Sequence, residues 1–176
     1  MRSHSLRPLI ARDPVRGRLE QTYAPDEARP LAAYSASLAL FATMVTGLVR
    51  LMQRRGGPPA ALPTRDLVLA SIAVFRASRL LATASVTSPL RAPFTTFSDS
   101  AGAGEVSEDV RDPDGGARHA IGELVSCPYC LGMWLATATG FGLSLAPAWT
   151  RVATSILAVD AGADVMQKLY SDLQAR

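Results

Sequence analysis

Two cysteines spaced for chemistry lie in the C-terminal half of the sequence. Cys127 and Cys130 enclose the stretch Cys-Pro-Tyr-Cys within residues 126–134, SCPYCLGMW. A Cys-x-x-Cys pair at the start of a helix suits thiol–disulfide exchange, because the positive helix terminus lowers the thiol pKa. We expect Cys127 at or beside the helix N-cap, with the larger decrease in pKa, and Cys130 near the third helical position. The pattern favours packing of both cysteines at a helix end, with a redox-active or metal-binding pair as the alternative.

The residues around the motif do not fit a glutaredoxin. That fold needs a strand before the motif and an amphipathic helix after it, whereas residues 124–150 contain no charged side chain. A helix that is apolar on all sides favours lipid. One chain offers two thiols and His119 as metal ligands, fewer than the four of a structural zinc site, although a dimer would supply four thiols. We therefore predict no cofactor and keep a metal at Cys127, Cys130 and His119 as an alternative.

A second set of residues pairs opposite charges. Arg76 and Arg79 lie three positions apart, and Asp160 and Asp164 lie four apart, so each pair shares one helix face. Each charge left unpaired in the middle of a membrane would cost roughly 2.5–3.5 kcal/mol. The pattern predicts that the two arginines meet the two aspartates in a structural charge network. The alternatives are a proton or ion pathway along these residues, and interfacial helices whose charges face water.

The helices that would position these residues are predicted from long runs with few charges. About 20 apolar residues cross the hydrocarbon core of a bilayer. The predicted fold is all-α, a small integral-membrane bundle of three to four helices at about 31–52, 66–86, 127–148 and 151–171. The number of spans depends on the helix at 66–86. It either crosses the membrane as a fourth span or, because of its central arginines, lies on the membrane surface and leaves three.

Composition divides the chain into three parts. Residues 1–30 hold four prolines and many charges without periodicity, which predicts a flexible polar tail. Residues 31–52 form the first predicted transmembrane helix. Residues 66–171 form a helical membrane domain, which contains a mobile acidic loop at about 95–122 that is rich in Gly, Ser, Asp and Glu.

Small residues recur every four positions along the helix that follows the cysteines. Such a stripe lets another helix backbone approach closely. A tryptophan lies one turn into the same helix. The residues of this predicted packing surface are Gly132, Ala136, Gly140, Ser144 and Trp134. The stripe predicts association with a second copy of the chain or with another membrane protein.

The distribution of charge predicts the location and excludes one class of partner. The formal charge is +3, and Lys168 is the only lysine. No basic cluster is interleaved with aromatic residues, so we expect no nucleic-acid binding. With four spans and an inner N-terminus, eleven Lys and Arg residues lie inside and five outside. The positive-inside rule then predicts a multi-pass protein of the inner membrane with a cytoplasmic N-terminus and the lipid bilayer as a partner.

Three stretches together resemble a known family. They are FRASRL at 75–80, TSPLRAPF at 87–94 and ELVSCPYCLGMWLA at 123–136. In this order they are similar to an uncharacterised bacterial membrane-protein family, domain of unknown function 1360. The resemblance covers about 66–170 and implies an integral-membrane location without an established activity. The positions that it carries over are Arg76, Arg79, Pro89, Arg91, Cys127, Cys130, Gly132 and Trp134.

These patterns support three hypotheses about function. The first is a membrane scaffold or accessory subunit, which acts by association and not by catalysis. The second is a membrane thiol–disulfide or metal-linked protein that uses Cys127 and Cys130; if the protein is an enzyme, it is a thiol–disulfide oxidoreductase. The third is a small transporter or proton pathway built on the arginine and aspartate network.

Overall fold

Helices dominate the structure, and a short hairpin interrupts them. A computed structural model describes residues 22–23, 30–59, 61–102, 104–111 and 116–175, so most of the tail predicted at 1–30 lies outside it. Within the described residues there are six α-helices and one two-stranded sheet. In chain order the elements are α1 (Leu31–Arg54), α2 (Thr64–Thr83), a 3-10 turn (Ser85–Thr87), α3 (Ser88–Arg91), β1 (Thr95–Gly102), β2 (Glu105–Val110), α4 (Ala117–Ser126), α5 (Pro128–Leu145) and α6 (Pro147–Gln174).

Proline marks the start of five of these helices. Its fixed φ suits the first helical turn, where the missing N–H would have no partner in any case. These residues are Pro30, Pro63, Pro89, Pro128 and Pro147, which precede or open α1, α2, α3, α5 and α6. Because Pro147 opens α6 directly after Ala146, the connection between α5 and α6 is a single residue.

The hairpin occupies part of the segment that composition predicted to be a mobile acidic loop. Strands β1 and β2 pair antiparallel, from Thr95 opposite Val110 to Gly102 opposite Glu105. Gly102 and Gly104 flank the turn with φ angles of 87° and 81°, which glycine adopts without a steric penalty. The all-α prediction is therefore wrong. Its error lies in reading acidic composition as a loop, although alternate side chains of β2 turn inward.

The prediction of a three- to four-helix membrane bundle is also wrong. Within the residues described, α1 is the one helix that is long and apolar enough to cross a membrane. Helices α4 and α5 pass the same test only when taken together, and they bend by 82° at Cys127. Helices α2 and α6 look apolar in sequence, but charged side chains recur along both and lower their hydropathy. Multiple spans and an assigned orientation therefore have no support.

Helix α2 lies at the centre and packs against α5 and α6, while α1 packs against α4 and α5. The described part of the chain buries as many polar side chains as apolar ones. Besides Pro30, the buried apolar residues are Ala73, Ala82, Ala120 and Leu143, and the buried polar residues are Asp66, Ser78, Arg91, Thr95 and Thr154. Because three of those four apolar residues are alanines, hydrogen bonds and ion pairs hold much of the interior.

Glycine brings α4 onto the hairpin. A Cβ added at Gly122 would lie 2.8 Å from Val110 Cγ1 and 3.0 Å from the Phe94 carbonyl oxygen. A larger residue at this position would push α4 away from β2. This contact fixes the hairpin between α2 on one side and α4 on the other.

Candidate functional site

The most deeply buried charge in the described residues is Arg91, at the end of α3. Its side chain is 1% exposed, and that of its partner Glu108 on β2 is 6% exposed. Arg91 Nε and Nη2 donate to the two carboxylate oxygens of Glu108 at 3.0 and 2.8 Å. Arg91 Nη1 donates to the Leu81 carbonyl and to Thr87 Oγ1, each at 2.7 Å. This clamp ties α2, α3 and β2 together.

The carboxylate of Glu108 is equally well bonded. Thr95 Oγ1 and Ser88 Oγ donate to it at 2.6 and 2.9 Å. Burial raises the pKa of Glu108, but the hydrogen bonds from Arg91, Thr95 and Ser88 outweigh burial and hold the pKa below its usual value. Since the guanidinium is surrounded by protein acceptors, the clamp is built to hold elements in place.

Arg79 on α2 contacts the other end of β2. Its Nη2 donates to both carboxylate oxygens of Glu105 at 2.7 and 2.6 Å. The hydrogen bond from Arg79 lowers the pKa of Glu105, against the opposing effect of burial. The hairpin is thus bound to α2 at Glu105 and to α3 at Glu108. Arg79 does not contact Asp160 or Asp164, which the sequence had offered as its partners.

Arg76 joins α2 to α6. Its Nε donates to Asp160 Oδ2 at 2.5 Å, and its Nη1 forms an ion pair with Asp164. The Arg76 side chain is 18% exposed. The structure thus brings together three of the four residues in the predicted charge network.

A further ion pair, which the sequence did not indicate, links the start of α2 to the start of α6. Arg151 Nη2 and Nε donate to Asp66 Oδ2 at 2.8 and 3.0 Å. The hydrogen bond from Arg151 lowers the pKa of Asp66. The pair lies on the wall of a cavity of about 300 Å³, whose lining residues are Pro63, Arg65, Asp66, Leu69, Arg151 and Ser155.

The two cysteines lie at the break between α4 and α5. Cys127 is the N-cap of α5, and its Sγ accepts a hydrogen bond from the Cys130 backbone N–H at 3.2 Å. Both thiols are free. Partial burial, together with the neighbouring Cys127, raises the pKa of the Cys130 thiol to about 11. This is opposite to the decrease expected from the helix terminus.

His119, the third predicted metal ligand, belongs to a different contact. Its Nε2 lies 3.3 Å from Glu123 Oε1 along α4, and Tyr34 on α1 donates to Glu123 Oε2 at 2.5 Å. In the part of the chain that the structure describes, no three His, Cys, Asp or Glu side chains are grouped to hold a metal. The metal hypothesis gains no support from this geometry.

Helix α1 contacts the α4–α5 pair at a second point, where the Phe41 and Trp134 rings meet edge to face with centroids 5.0 Å apart.

The small residues of the predicted packing stripe on α5 have open space beside them. A Cβ at Gly132 or at Gly140 would meet nothing within 4 Å, and Ala136 is exposed. The predicted packing stripe is therefore not used for close packing inside the chain at Gly132 and Gly140.

The roles of Glu105 and Glu108 as ion-pair partners were not predicted from the sequence, because both residues were assigned to a mobile loop. A hairpin signal was nevertheless present, since two short runs with β-branched residues flank glycines at 102 and 104. Pro89 and Arg91 entered through the family resemblance, without a partner. The structure supplies one: Pro89 lies in the first turn of α3, which ends at the Arg91 clamp.

Acid should loosen the hairpin. The folded-state pKa values of Glu105 and Glu108 are lowered, so their contribution to stability is complete at neutral pH. That contribution is lost as the pH falls through the unfolded value of about 4.3 toward the folded values. We expect the melting temperature to fall between neutral pH and about pH 3. Glu108→Gln should be less stable at neutral pH and show a flatter pH profile; an unchanged profile would contradict this role.

The fold and these contacts define a class: a small, mostly helical protein with charge clusters in its interior and, among the residues described, one helix long and apolar enough to cross a membrane. A family model described as protein of unknown function (DUF1360) matches residues 69–170, and the chain belongs to this family. This confirms the resemblance found in the sequence. The sporulation protein YjcA of Bacillus subtilis (strain 168) is 32% identical over 106 residues, covering 60% of this chain and 90% of that protein. No solved structure matches the chain.

Proposed function

We propose that the protein is a membrane-associated accessory protein that acts by association. The observation that carries this proposal is α1, a 24-residue helix with no charge before Arg50 and no buried residue. Its apolar side chains Leu38 and Leu40 are 69% and 63% exposed. Exposed leucines on a helix of this length favour insertion into lipid.

The remaining described helices form the unit that α1 would attach to the membrane. Helix α1 reaches this unit through Tyr34 on Glu123 and through Phe41 on Trp134. Ion pairs from Arg76, Arg79 and Arg91 connect α2 and α3 to α6 and to the hairpin. Those side chains are engaged with one another, which supports a structural role for the network over a proton or ion pathway.

The relative named as a sporulation protein suggests the cellular process in which this protein acts. Its name assigns that protein to sporulation, and we extend this role to the present chain as part of the proposal. Helix α1 lies before the residues that match the family, so attachment through α1 is proposed for this chain alone.

Affinity purification of the full chain from membranes tests the proposal. We expect a stoichiometric partner, either another protein or an untagged second copy, to be retained after detergent extraction. The chain should be lost from the membrane fraction in Leu38→Arg/Leu40→Arg and kept there in Leu51→Arg, a control at the charged end of α1. A chain recovered from the membrane as a monomer without any partner would contradict the proposal.

Thiol–disulfide exchange is the second candidate function. The position of Cys127 as the N-cap of α5, next to Cys130, favours it. The Cys130 backbone N–H donates to Cys127 Sγ at the start of α5, which holds the two sulfur-bearing residues side by side. Cys127 would attack a disulfide substrate and release one of its thiols, and Cys130 would then displace the second thiol and close a Cys127–Cys130 disulfide. Cys127→Ser/Cys130→Ser should abolish function under this hypothesis, whereas it should leave association intact under the first.

A further inference from the structure

Apolar residues recur along α6 with the spacing of a coiled coil. Their positions alternate between four and three residues apart for three heptads, which is the repeat that lets two helices pack along a continuous stripe. We call this set the α6 seam. Its members are Val152, Ile156, Val159, Ala163, Met166, Tyr170 and Leu173.

The seam has no partner within the described residues. Exposed fractions run from 55% at Val152 to 74% at Val159, and Met166 is 73% exposed. The opposite face of α6 is the one that packs on α2. Thr154 is buried on that face, and the two aspartates that contact Arg76 lie between that face and the seam.

The end of α6 has little contact with the rest of the protein. Each residue from 165 to 175 is exposed, on every side of the helix. A helical segment of this length is marginal in water on its own, since isolated helices need about 12–15 residues. Val165, Leu169 and Leu173 are apolar and 58%, 58% and 69% exposed, so the segment needs an apolar surface to pack against.

We propose that the α6 seam binds the same seam of a second copy of the chain, an inference that rests on association as the proposed function. The six large seam residues would each cover roughly 100 Å². Together they cover about three quarters of the ~800 Å² per partner of a standard interface. A heptad repeat that matches itself needs no other complementary sequence, which favours a second copy over an unrelated partner.

The charges beside the seam are compatible with this pairing and unfavourable to lipid. Asp160 directly follows a seam position but is neutralised by Arg76, so two copies would not repel each other there. Asp164 also pairs with Arg76, and Lys168 and Asp172 balance each other, so the last three turns of α6 carry no excess positive charge. Anionic headgroups attract helices rich in Lys and Arg, and this helix end lacks that composition.

Disulfide cross-linking in membranes tests the proposal. The background is the full chain with Cys127→Ser/Cys130→Ser, since serine also caps a helix N-terminus. Single cysteines are introduced by Val159→Cys, Met166→Cys and Leu173→Cys on the seam. Lys168→Cys, on the polar face of the same helix, is the matched control. After oxidation we expect a dimer of twice the chain mass from seam variants and at least about tenfold less from the control.

The number of reactive positions reports the direction of pairing. Cross-links at all three seam positions indicate parallel helices, and a cross-link at one position indicates antiparallel helices; both support the proposal. Adding Met166→Lys/Tyr170→Lys should lower cross-linking through Leu173→Cys or Val159→Cys by about tenfold or more. Equal cross-linking by seam and control variants, no dimer at all, or a cross-link to a different protein would overturn it.

Membrane flotation of the same samples separates the two proposals. A chain that floats with the membranes but yields no seam dimer leaves membrane association standing and removes the α6 seam as a self-pairing surface. A chain that dimerises through the seam but does not float removes the membrane proposal and leaves the dimer. Helix content measured on each variant excludes misfolding as the cause of a lost dimer.

Discussion

Arg91→Ala should destabilise the protein by about 3–5 kcal/mol, because removal of one partner leaves a buried charge uncompensated. Glu108, which is 6% exposed, would lose both guanidinium bonds and keep its negative charge among protein atoms. A loss of this size is a large part of the roughly 5–15 kcal/mol that stabilises a typical domain. Chemical denaturation of the purified full chain in detergent, followed by circular dichroism, measures the change.

Two further variants make this result specific. Arg118→Ala removes an exposed arginine from α4 and should change stability by less than about 0.5 kcal/mol. Arg91→Lys keeps the charge but cannot form the two-pronged contact with Glu108, so its stability should fall between those of Arg91→Ala and the unchanged chain. Equal stability of Arg91→Ala and Arg118→Ala would contradict the clamp.

Leu38→Arg/Leu40→Arg should release the protein from membranes. On insertion scales, leucine to arginine near the middle of a span costs about 3–4 kcal/mol per position. Both side chains are more than 60% exposed, so the contacts of α1 with α4 and α5 should survive the change. Flotation of the variant on a density gradient, compared with the unchanged chain, measures the released fraction.

Leu51→Arg is the matched control for position in the helix. Leu51 lies between Arg50 and Arg54 at the end of α1, where a further arginine reaches the headgroups at little cost. This variant should float like the unchanged chain. If Leu38→Arg/Leu40→Arg also floats fully, lipid contact through α1 is not what holds the protein at the membrane.

The positions of the helices were predicted well from the sequence, but whether each helix faces lipid or packs against the rest of the protein was not. Helices were predicted near 31–52, 66–86, 127–148 and 151–171, and the structure has α1, α2, α5 and α6 at these places. Hydropathy along a chain cannot distinguish a helix that faces lipid from one that packs on neighbours of the same protein. The charged residues of α2 and α6 distinguish these helices from α1, which has no charge before Arg50.

Partners of charged residues were predictable only where both lay on predicted helices. The opposite charges of α2 and α6 pointed to Arg76 and its two aspartates. The partner of Arg79 was missed, because Glu105 lies on a strand that composition had placed in a loop. Cys130 shows a different limit: proximity to a helix terminus predicted a lower thiol pKa, but loss of hydration and the adjacent thiol raise it.

Alkaline carbonate extraction tests the central claim, that α1 holds the protein in a membrane. Carbonate strips proteins that are bound only through surface charges and leaves proteins inserted through an apolar helix. We expect the full chain to stay in the membrane pellet and Leu38→Arg/Leu40→Arg to move to the supernatant. Recovery of the unchanged chain in the supernatant would show that α1 does not hold the protein in the membrane.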